Sequence, residues 1–345
     1  VRTNIFLLFF LLSALQAFGQ LSYPKAVAKA GDGIYTLLRR HGLSPSEHLS
    51  AFLELNKDKI GSDQILLAGK TYLLPLKSAK EPDNSTTRET SKTATNANSS
   101  VLHIPLFGDK YSRVEIKDRQ LQGAVYYLTS GHGGYDPGAV GKYGPYSLAE
   151  DEYAYDVTNR LARNLMEHGA TVYMIVQDPD DGIRDENILK LDRDEINYPD
   201  QKISRSQVER LRQRTRAINS LYSKHKGAYQ RMLAIHVDSR SKGQNIDVFF
   251  YHHENSPDGQ KLADTIHQTF TSNYKRYQPY REYFGSVSHR SSLYVVKYTS
   301  PPTVFIELGN IRNDQDQRRF VIPNNRQALA NWITEGILKD YQSQK

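Results

Sequence analysis

From residue 121 onward, short apolar runs alternate with longer amphipathic ones, and this alternation restricts the possible folds more than any other feature of the chain. The runs 124–129, 171–176, 232–237, 246–251, 293–297 and 303–307 have the length of strands. The stretches 150–168, 204–225, 258–277 and 325–340 have helical spacing. In the first of these, Tyr153, Val157, Leu161 and Leu165 form one i,i+4 row, and Gly169 follows the last turn. Strand–helix alternation predicts an α/β domain with a central, mostly parallel, twisted sheet flanked by helices. In open sheets of this type ligands gather beyond the carboxyl ends of the strands. The residues that end the apolar runs are therefore the ones to inspect.

Residues 78–100 contain no Val, Ile, Leu or aromatic residue. Such a stretch cannot bury enough surface to fold and reads as a flexible linker. Before it, residues 25–76 read as a small α+β unit of strand, helix, helix and strand. Ile34, Leu37 and Leu38 have helical spacing, and Gly42 stands at the C′ position. Ser44-Pro45-Ser46-Glu47 opens a second helix with Leu49, Phe52 and Leu53 as its apolar stripe. Through Gly31-Asp32, Leu55-Asn56, Gly69 and Leu74-Pro75 the unit resembles a LysM module. That resemblance implies binding of N-acetylglucosamine-containing glycans such as peptidoglycan. The main domain is then 101–345.

The first residues have the form of a secretory signal peptide, 1–19. Arg2 precedes an apolar core from Ile5 to Leu15, and Ala17-Phe-Gly19 supplies small residues at a cleavage position. The core is too short to span a bilayer comfortably, and nothing later reads as a transmembrane helix. The expectation is export, to a periplasmic or extracellular place at the cell wall. The net charge is +7, dispersed with no long basic run, so no nucleic-acid partner is expected. There is no cysteine, which excludes thiolate metal sites, a cysteine nucleophile and disulfides. Any metal must be held by His, Asp or Glu.

Three apolar runs end on groups able to do chemistry. His132 follows the first, within Gly131-His-Gly-Gly134. His236 ends Ala234-Ile-His-Val-Asp238, and Glu307 ends Val304-Phe-Ile-Glu-Leu-Gly309. Glu150 opens the first long helix; with Ser147 it also has the spacing of a capping box, and an acidic residue there favours the helix dipole. Catalytic zinc commonly takes three His or carboxylate ligands and leaves a position for water, which two His and one Glu satisfy. A further carboxylate is needed to move the water proton, and Glu307 can serve. The glycines around His132 would also suit a phosphate-binding loop, but the basic and hydroxyl residues of such a loop are missing. Residues 178–203 are polar and acidic and read as a long surface insertion with room for a short helix. His252-His253 reads as a polar strand end, and Arg205, Arg210, Arg212, Arg214 and Arg216 as a solvated helix face.

Gly131-His-Gly-Gly-Tyr-Asp-Pro-Gly-Ala139, Glu150 with its helix, Ile235-His236-Val-Asp238 and Val304-Phe-Ile-Glu307-Leu-Gly309-Asn310 resemble, in order and spacing, the zinc-dependent N-acetylmuramoyl-L-alanine amidases of the type-3 cell-wall group. The likeness covers roughly 122–341. It implies an α/β fold with a mixed sheet and one Zn²⁺ held by His132, Glu150 and His236, with Glu307 as catalytic base. The bond cut would be the amide between the lactyl group of N-acetylmuramic acid and L-alanine of the stem peptide, in wall turnover or cell separation. Peptidoglycan is then the partner, its glycan on the LysM-like unit and its stem peptide in the cleft; the sequence identifies no protein activator. Arg290 and Asn310 are candidate substrate contacts. Two departures from the family pattern, Val237-Asp238 after the second histidine and Leu308-Gly309-Asn310 after the glutamate, bear on the shape of the cleft. The competing readings are a zinc peptidase acting within the stem peptide and a non-catalytic LysM wall-binding protein.

Overall fold

The computed structural model describes residues 23–29, 34–43, 45–60, 66–76, 101–239 and 247–344. The expected signal peptide, the turn at Gly31–Gly33, the Ser44 cap and the linker 78–100 lie outside the described residues. Two compact units divide between Arg88 and Glu89. Among the described residues no helix is long and apolar enough to cross a membrane.

The first unit has strand β1 (Lys25–Val27), helices α1 (Ile34–Arg40) and α2 (Pro45–Leu55), and strand β2 (Thr71–Leu73), which pairs antiparallel with β1. Gly42, at φ 68°, takes the left-handed conformation that lets the chain leave α1. Ala26, Leu37, Leu38, Phe52 and Tyr72 make its small core. Buried Asn56 ties α2 to β2: its side-chain NH₂ donates to Phe52 O and Leu73 O, and its Oδ1 accepts the Leu73 N–H, all at 2.8 Å.

The second unit opens with the hairpin β3 (Val101–His103) and β4 (Arg113–Glu115). Then come β5 (Ala124–Ser130), the hairpin β6 (Val140–Tyr143) and β7 (Tyr146–Ala149), α3 (Glu150–Glu167), β8 (Thr171–Met174) and β9 (Val176–Gln177). Two short strands, β10 (Ile196–Asn197) and β11 (Gln201–Lys202), precede α4 (Gln207–Lys224) and β12 (Tyr229–Asp238). The chain continues through β13 (Phe249–His252), α5 (Pro257–Tyr277), β14 (Ser286–His289), α6 (Tyr294–Tyr298), β15 (Thr303–Asn310), α7 (Asp314–Val321) and α8 (Pro323–Gln342).

The central sheet runs β14-β13-β15-β12-β5-β8. It is mixed, with parallel pairings in the majority: β15, β12, β5 and β8 are parallel neighbours, whereas β13 meets β15 antiparallel and takes β14 with it. Side chains alternate between its faces, as a pleated strand requires. Tyr126, Leu128, Leu233, Ile235, Val304 and Ile306 face a core shared with α3, α5 and α8. Val125, Tyr127, Met232, Ala234 and Phe305 face a smaller one shared with α4 and α6. His236 and Glu307 follow Ala234 and Phe305 by two residues and so belong to the second face.

Three sequence expectations change. The run 293–297 is a short helix, α6, not a strand; its apolar content does not encode period 2, and Val295 and Val296 are buried in the smaller core while the Thr299 hydroxyl donates to Val295 O at 2.6 Å. Helix α7 was absent from the pattern; Asn313 caps it by accepting the N–H groups of Gln315 and Asp316 at 3.0 Å. Residues 178–203 are not a surface excursion. Their end forms β10 and β11 on β9, with no helix, and Ile183, Leu189 and Ile203 are buried.

What fixes this segment is a buried ionic network. Asp156, fully buried on α3, accepts from Arg160 Nε at 2.7 Å and Arg326 Nε at 2.6 Å. Arg326, itself fully buried, donates onward to the carbonyls of Arg184 and Glu186 at 2.8 Å. Burial alone would push the Asp156 carboxyl up; Arg326 and Arg160 outweigh it and hold it below the usual range. The stability this contributes is complete above the unfolded carboxylate value of about 3.9 and is lost as pH falls through the lower folded value. Asp156→Ala leaves two buried guanidiniums without their carboxylate and should cost about 3–5 kcal/mol, read as a lower urea midpoint at neutral pH.

Candidate active site and metal centre

The site lies where β5 and β12 end and α3 begins. His132 stands just past β5 at φ 58°, a left-handed conformation uncommon for a residue with a Cβ, in a turn continued by Gly133 and Gly134 at positive φ. The Arg214 side chain, 4% exposed on α4, donates to the His132 carbonyl and holds this turn. Gly131 and Gly138 are required by space. A Cβ on Gly131 would lie 2.3 Å from the His236 ring, and one on Gly138 would lie 2.6 Å from both Glu150 Oε2 and the His132 ring.

Glu150 is the first residue of α3, preceded by an extended Ala149 with no side-chain cap. Ser147 lies within β7 rather than at the N-cap, and its hydroxyl accepts from Lys142 Nζ, so the capping-box alternative does not hold. The Glu150 carboxylate turns into the site. Its Oε2 accepts the Ala139 N–H at 2.8 Å and lies 3.3 Å from His132 Nε2. Its Oε1 accepts the Val237 N–H at 3.1 Å and lies 2.9 Å from His236 Nδ1. The two imidazoles meet edge to face at 5.2 Å, and the His236 ring stacks on Phe305 at 4.2 Å. One donor atom from each of His132, Glu150 and His236 lies within 4.8 Å of the others.

Glu307 is the register partner of His236 on the adjacent parallel strand, so both side chains leave the sheet on one face, about 5 Å apart at the backbone. The sequence missed the support for His132. Asp136, in the same turn, faces His132 Nδ1 at 2.9 Å, and Arg210 ion-pairs with that carboxylate. Arg210 and Arg214 are therefore buried against the site, whereas Arg212 and Arg216 do lie on a solvated face with Glu209. Arg205 lies over the Tyr135 ring.

Electrostatics follow the contacts. Burial opposes a proton on His132, but hydrogen bonds to Asp136 and Glu150 outweigh it and raise the imidazole to about 10. His236 is pushed down by its burial, against the pull of Glu150. Burial pushes Glu150 up, yet its bonds to both histidines hold it far below the usual carboxylate range. Asp136 is held low chiefly by His132. Burial, then Arg210, brings Arg214 down to about 10. The arrangement is an anionic clasp between two imidazoles, a donor set suited to a borderline divalent ion.

The outer candidates fare differently. Arg290 is exposed, its guanidinium 5.0 Å above the Tyr251 ring. Asn310 is fully buried: its N–H donates to Asp316 Oδ2 and its Oδ1 accepts the Arg312 N–H, both at 2.9 Å. It holds the turn into α7. His252 ends β13 opposite His289, with its Nδ1 on His253 O at 2.9 Å, as a polar strand end should.

Comparisons with known proteins follow this geometry. Residues 127–339 match the family model for N-acetylmuramoyl-L-alanine amidase. A germination-specific N-acetylmuramoyl-L-alanine amidase of Bacillus subtilis is 25% identical over 223 residues, 64% of this chain and 80% of that protein. A probable cell wall amidase, LytH, of Staphylococcus aureus is 28% identical over 224 residues, 63% of this chain; the chain spans 58% of that relative's length. Among solved structures, an N-acetylmuramoyl-L-alanine amidase from Clostridium difficile 630 is similar with a TM-score of 0.48 and 19% identity, over 64% of this chain and 98% of that one. The family match begins within β5, ends within α8, takes in His132, Glu150, His236 and Glu307, and covers more than half of the sequence; the chain belongs to the N-acetylmuramoyl-L-alanine amidase family.

Proposed function

We propose that this protein is a zinc-dependent peptidoglycan amidase that hydrolyses the amide between the lactyl group of N-acetylmuramic acid and L-alanine of the stem peptide. The observation that carries the reading is the meeting of His132, Glu150 and His236 beside a strand-paired Glu307. The residues fit the ion. Two imidazole nitrogens and a carboxylate are a common catalytic zinc set, and the 3.3 Å from His132 Nε2 to Glu150 Oε2 matches the edge of a tetrahedron with ligand distances of about 2.0–2.1 Å. When bound, zinc supplies Lewis acidity toward the amide carbonyl and the attacking water.

The chain's own groups do the rest. Asp136 accepts the His132 Nδ1 proton, which fixes the tautomer and leaves Nε2 facing the centre; Arg210 in turn orients Asp136. Glu307 takes the proton of the attacking water on its carboxylate and returns it to the L-alanine nitrogen as the carbon–nitrogen bond breaks. Exposed Arg290 offers a guanidinium to a stem-peptide carboxylate. The βααβ unit within 25–76 serves as a LysM-like glycan-binding module, joined by the linker 78–100 to the catalytic domain 101–345. Residues 1–19 direct export, so that the enzyme acts at the cell wall.

Digestion of purified sacculi should release free stem peptides and stop with chelator; products that keep muramic acid joined to L-alanine would refute the bond assignment in favour of a peptidase. Glu307→Gln should retain metal and fold while turnover drops about 10²–10⁴-fold, measured by product release under saturating substrate. Asp136→Asn should weaken zinc about 10–100-fold in a competitive chelator titration, with unchanged circular dichroism. Deleting residues 25–76 should reduce pelleting with sacculi and leave hydrolysis of a soluble muropeptide in place.

A further inference from the structure

A second group of carboxylates lies beside the His132 turn. Asp151 and Glu152, in the first turn of α3, converge with Glu195 from the 178–203 segment, and one oxygen from each lies within 4.8 Å of the others. All three are buried, at 1%, 2% and 5% exposure. Glu195 Oε2 accepts the Gly134 N–H at 2.7 Å. Glu152 Oε1 accepts the Asp192 N–H at 3.1 Å, and its Oε2 meets Arg184 at 2.8 Å. Asp151 Oδ1 accepts the Glu152 N–H at 2.9 Å, but Asp151 Oδ2 has no hydrogen-bond partner among the described residues.

An unmatched carboxylate oxygen at 1% exposure is costly, and buried carboxylates crowded together are more so. Among the described residues one guanidinium, Arg184, ion-pairs with Glu152 alone of the three, and it is shared with Asp181. The surplus negative charge and the unmatched oxygen both call for a cation. The donor set is wholly oxygen, which selects a hard ion over zinc. Oxygens within 4.8 Å of one another can share one ion, and a cage of protein carboxylates suits calcium, since magnesium keeps several waters and is seldom held by protein ligands alone.

We propose that Asp151, Glu152 and Glu195 bind one calcium ion beside the His132 turn. The ion pins three elements: the start of α3 next to Glu150, the 178–203 segment, and, through Glu195, the backbone at Gly134. The site is separate from the His132, Glu150 and His236 centre, uses none of its side chains, and is tested without reference to hydrolysis.

The test is calorimetric titration of CaCl₂ into the full-length protein after removal of metals, repeated with MgCl₂. One calcium should bind, at least tenfold more tightly than magnesium, and raise the thermal midpoint. Asp151→Asn and Glu195→Gln should each weaken calcium at least tenfold, while His236→Ala and Asp194→Asn leave it within about twofold. No calcium binding up to about 10 mM, beyond the range of weak extracellular calcium modules, overturns the proposal. So does binding that survives Asp151→Asn, or that is lost instead in His236→Ala or Asp194→Asn. Should the Asp151 and Glu195 variants fail to fold, anomalous diffraction from wild-type crystals soaked in CaCl₂ decides: a peak between the three carboxylates is required, and its absence there refutes the site.

Discussion

The two oxygens of Glu150 face different histidines, and that division organises the molecule around the site. Each oxygen also accepts a backbone N–H, one from the turn after β5 and one from the end of β12. A single carboxylate thus ties the first residue of α3 to two strand exits that are 104 residues apart in sequence, counted from His132 to His236. The contact works only because Gly131 and Gly138 carry no Cβ where the His236 ring and the Glu150 carboxylate must stand. Glycine here is a condition of close approach as well as of the turn.

A strained turn must be over-determined by its surroundings, and the one at His132 is. A non-glycine residue at positive φ costs on the order of 1–3 kcal/mol. Against that stand the Arg214 bond to the His132 carbonyl, the Asp136 bond to its ring and the Glu195 bond to Gly134. These come from α4, from the turn itself and from the 178–203 segment. The turn is therefore set largely by groups distant in sequence, and these aim the imidazole, which is the preorganisation that catalysis or metal binding rewards.

This explains what could be read from the sequence and what could not. His132, His236 and Glu307 were legible because each interrupts or ends an apolar run, and a polar group at the exit of a buried strand needs a reason. The strands β5, β12 and β15 were legible for the same cause. Arg210 and Arg214 were not, since a guanidinium looks solvated until its partners are known, and those partners lie 74 and 82 residues away. Run 293–297 failed as a strand because Tyr, Val and Val suit a buried helical turn as well as a pleat; only packing against the smaller core decides. The reversal of β13 is likewise invisible, because direction in a sheet leaves no mark on the composition of a single strand. The antiparallel pairing of β13 with β15 sets Phe249 opposite Glu307, so this reversal also shapes one wall of the cleft.

Helix α3 joins stability to the site. Glu150 and Asp156 are six residues apart, about 9 Å along the axis. The first binds the histidines, the second binds Arg160 and Arg326, and both arginines donate to the carbonyl of Arg184 in the 178–203 segment. The same segment returns Glu195 to the His132 turn and packs Ile203 against Gly134. The path closes on itself: the helix positions the segment, the segment positions the turn, and the turn faces the helix terminus. A change at a buried charge along this path should then move the imidazole as well as the melting point, so stability and metal affinity are expected to fall together for Asp156 and separately for Asp136, whose carboxylate meets the ring, Arg210 and the Gly138 N–H but not the 178–203 segment.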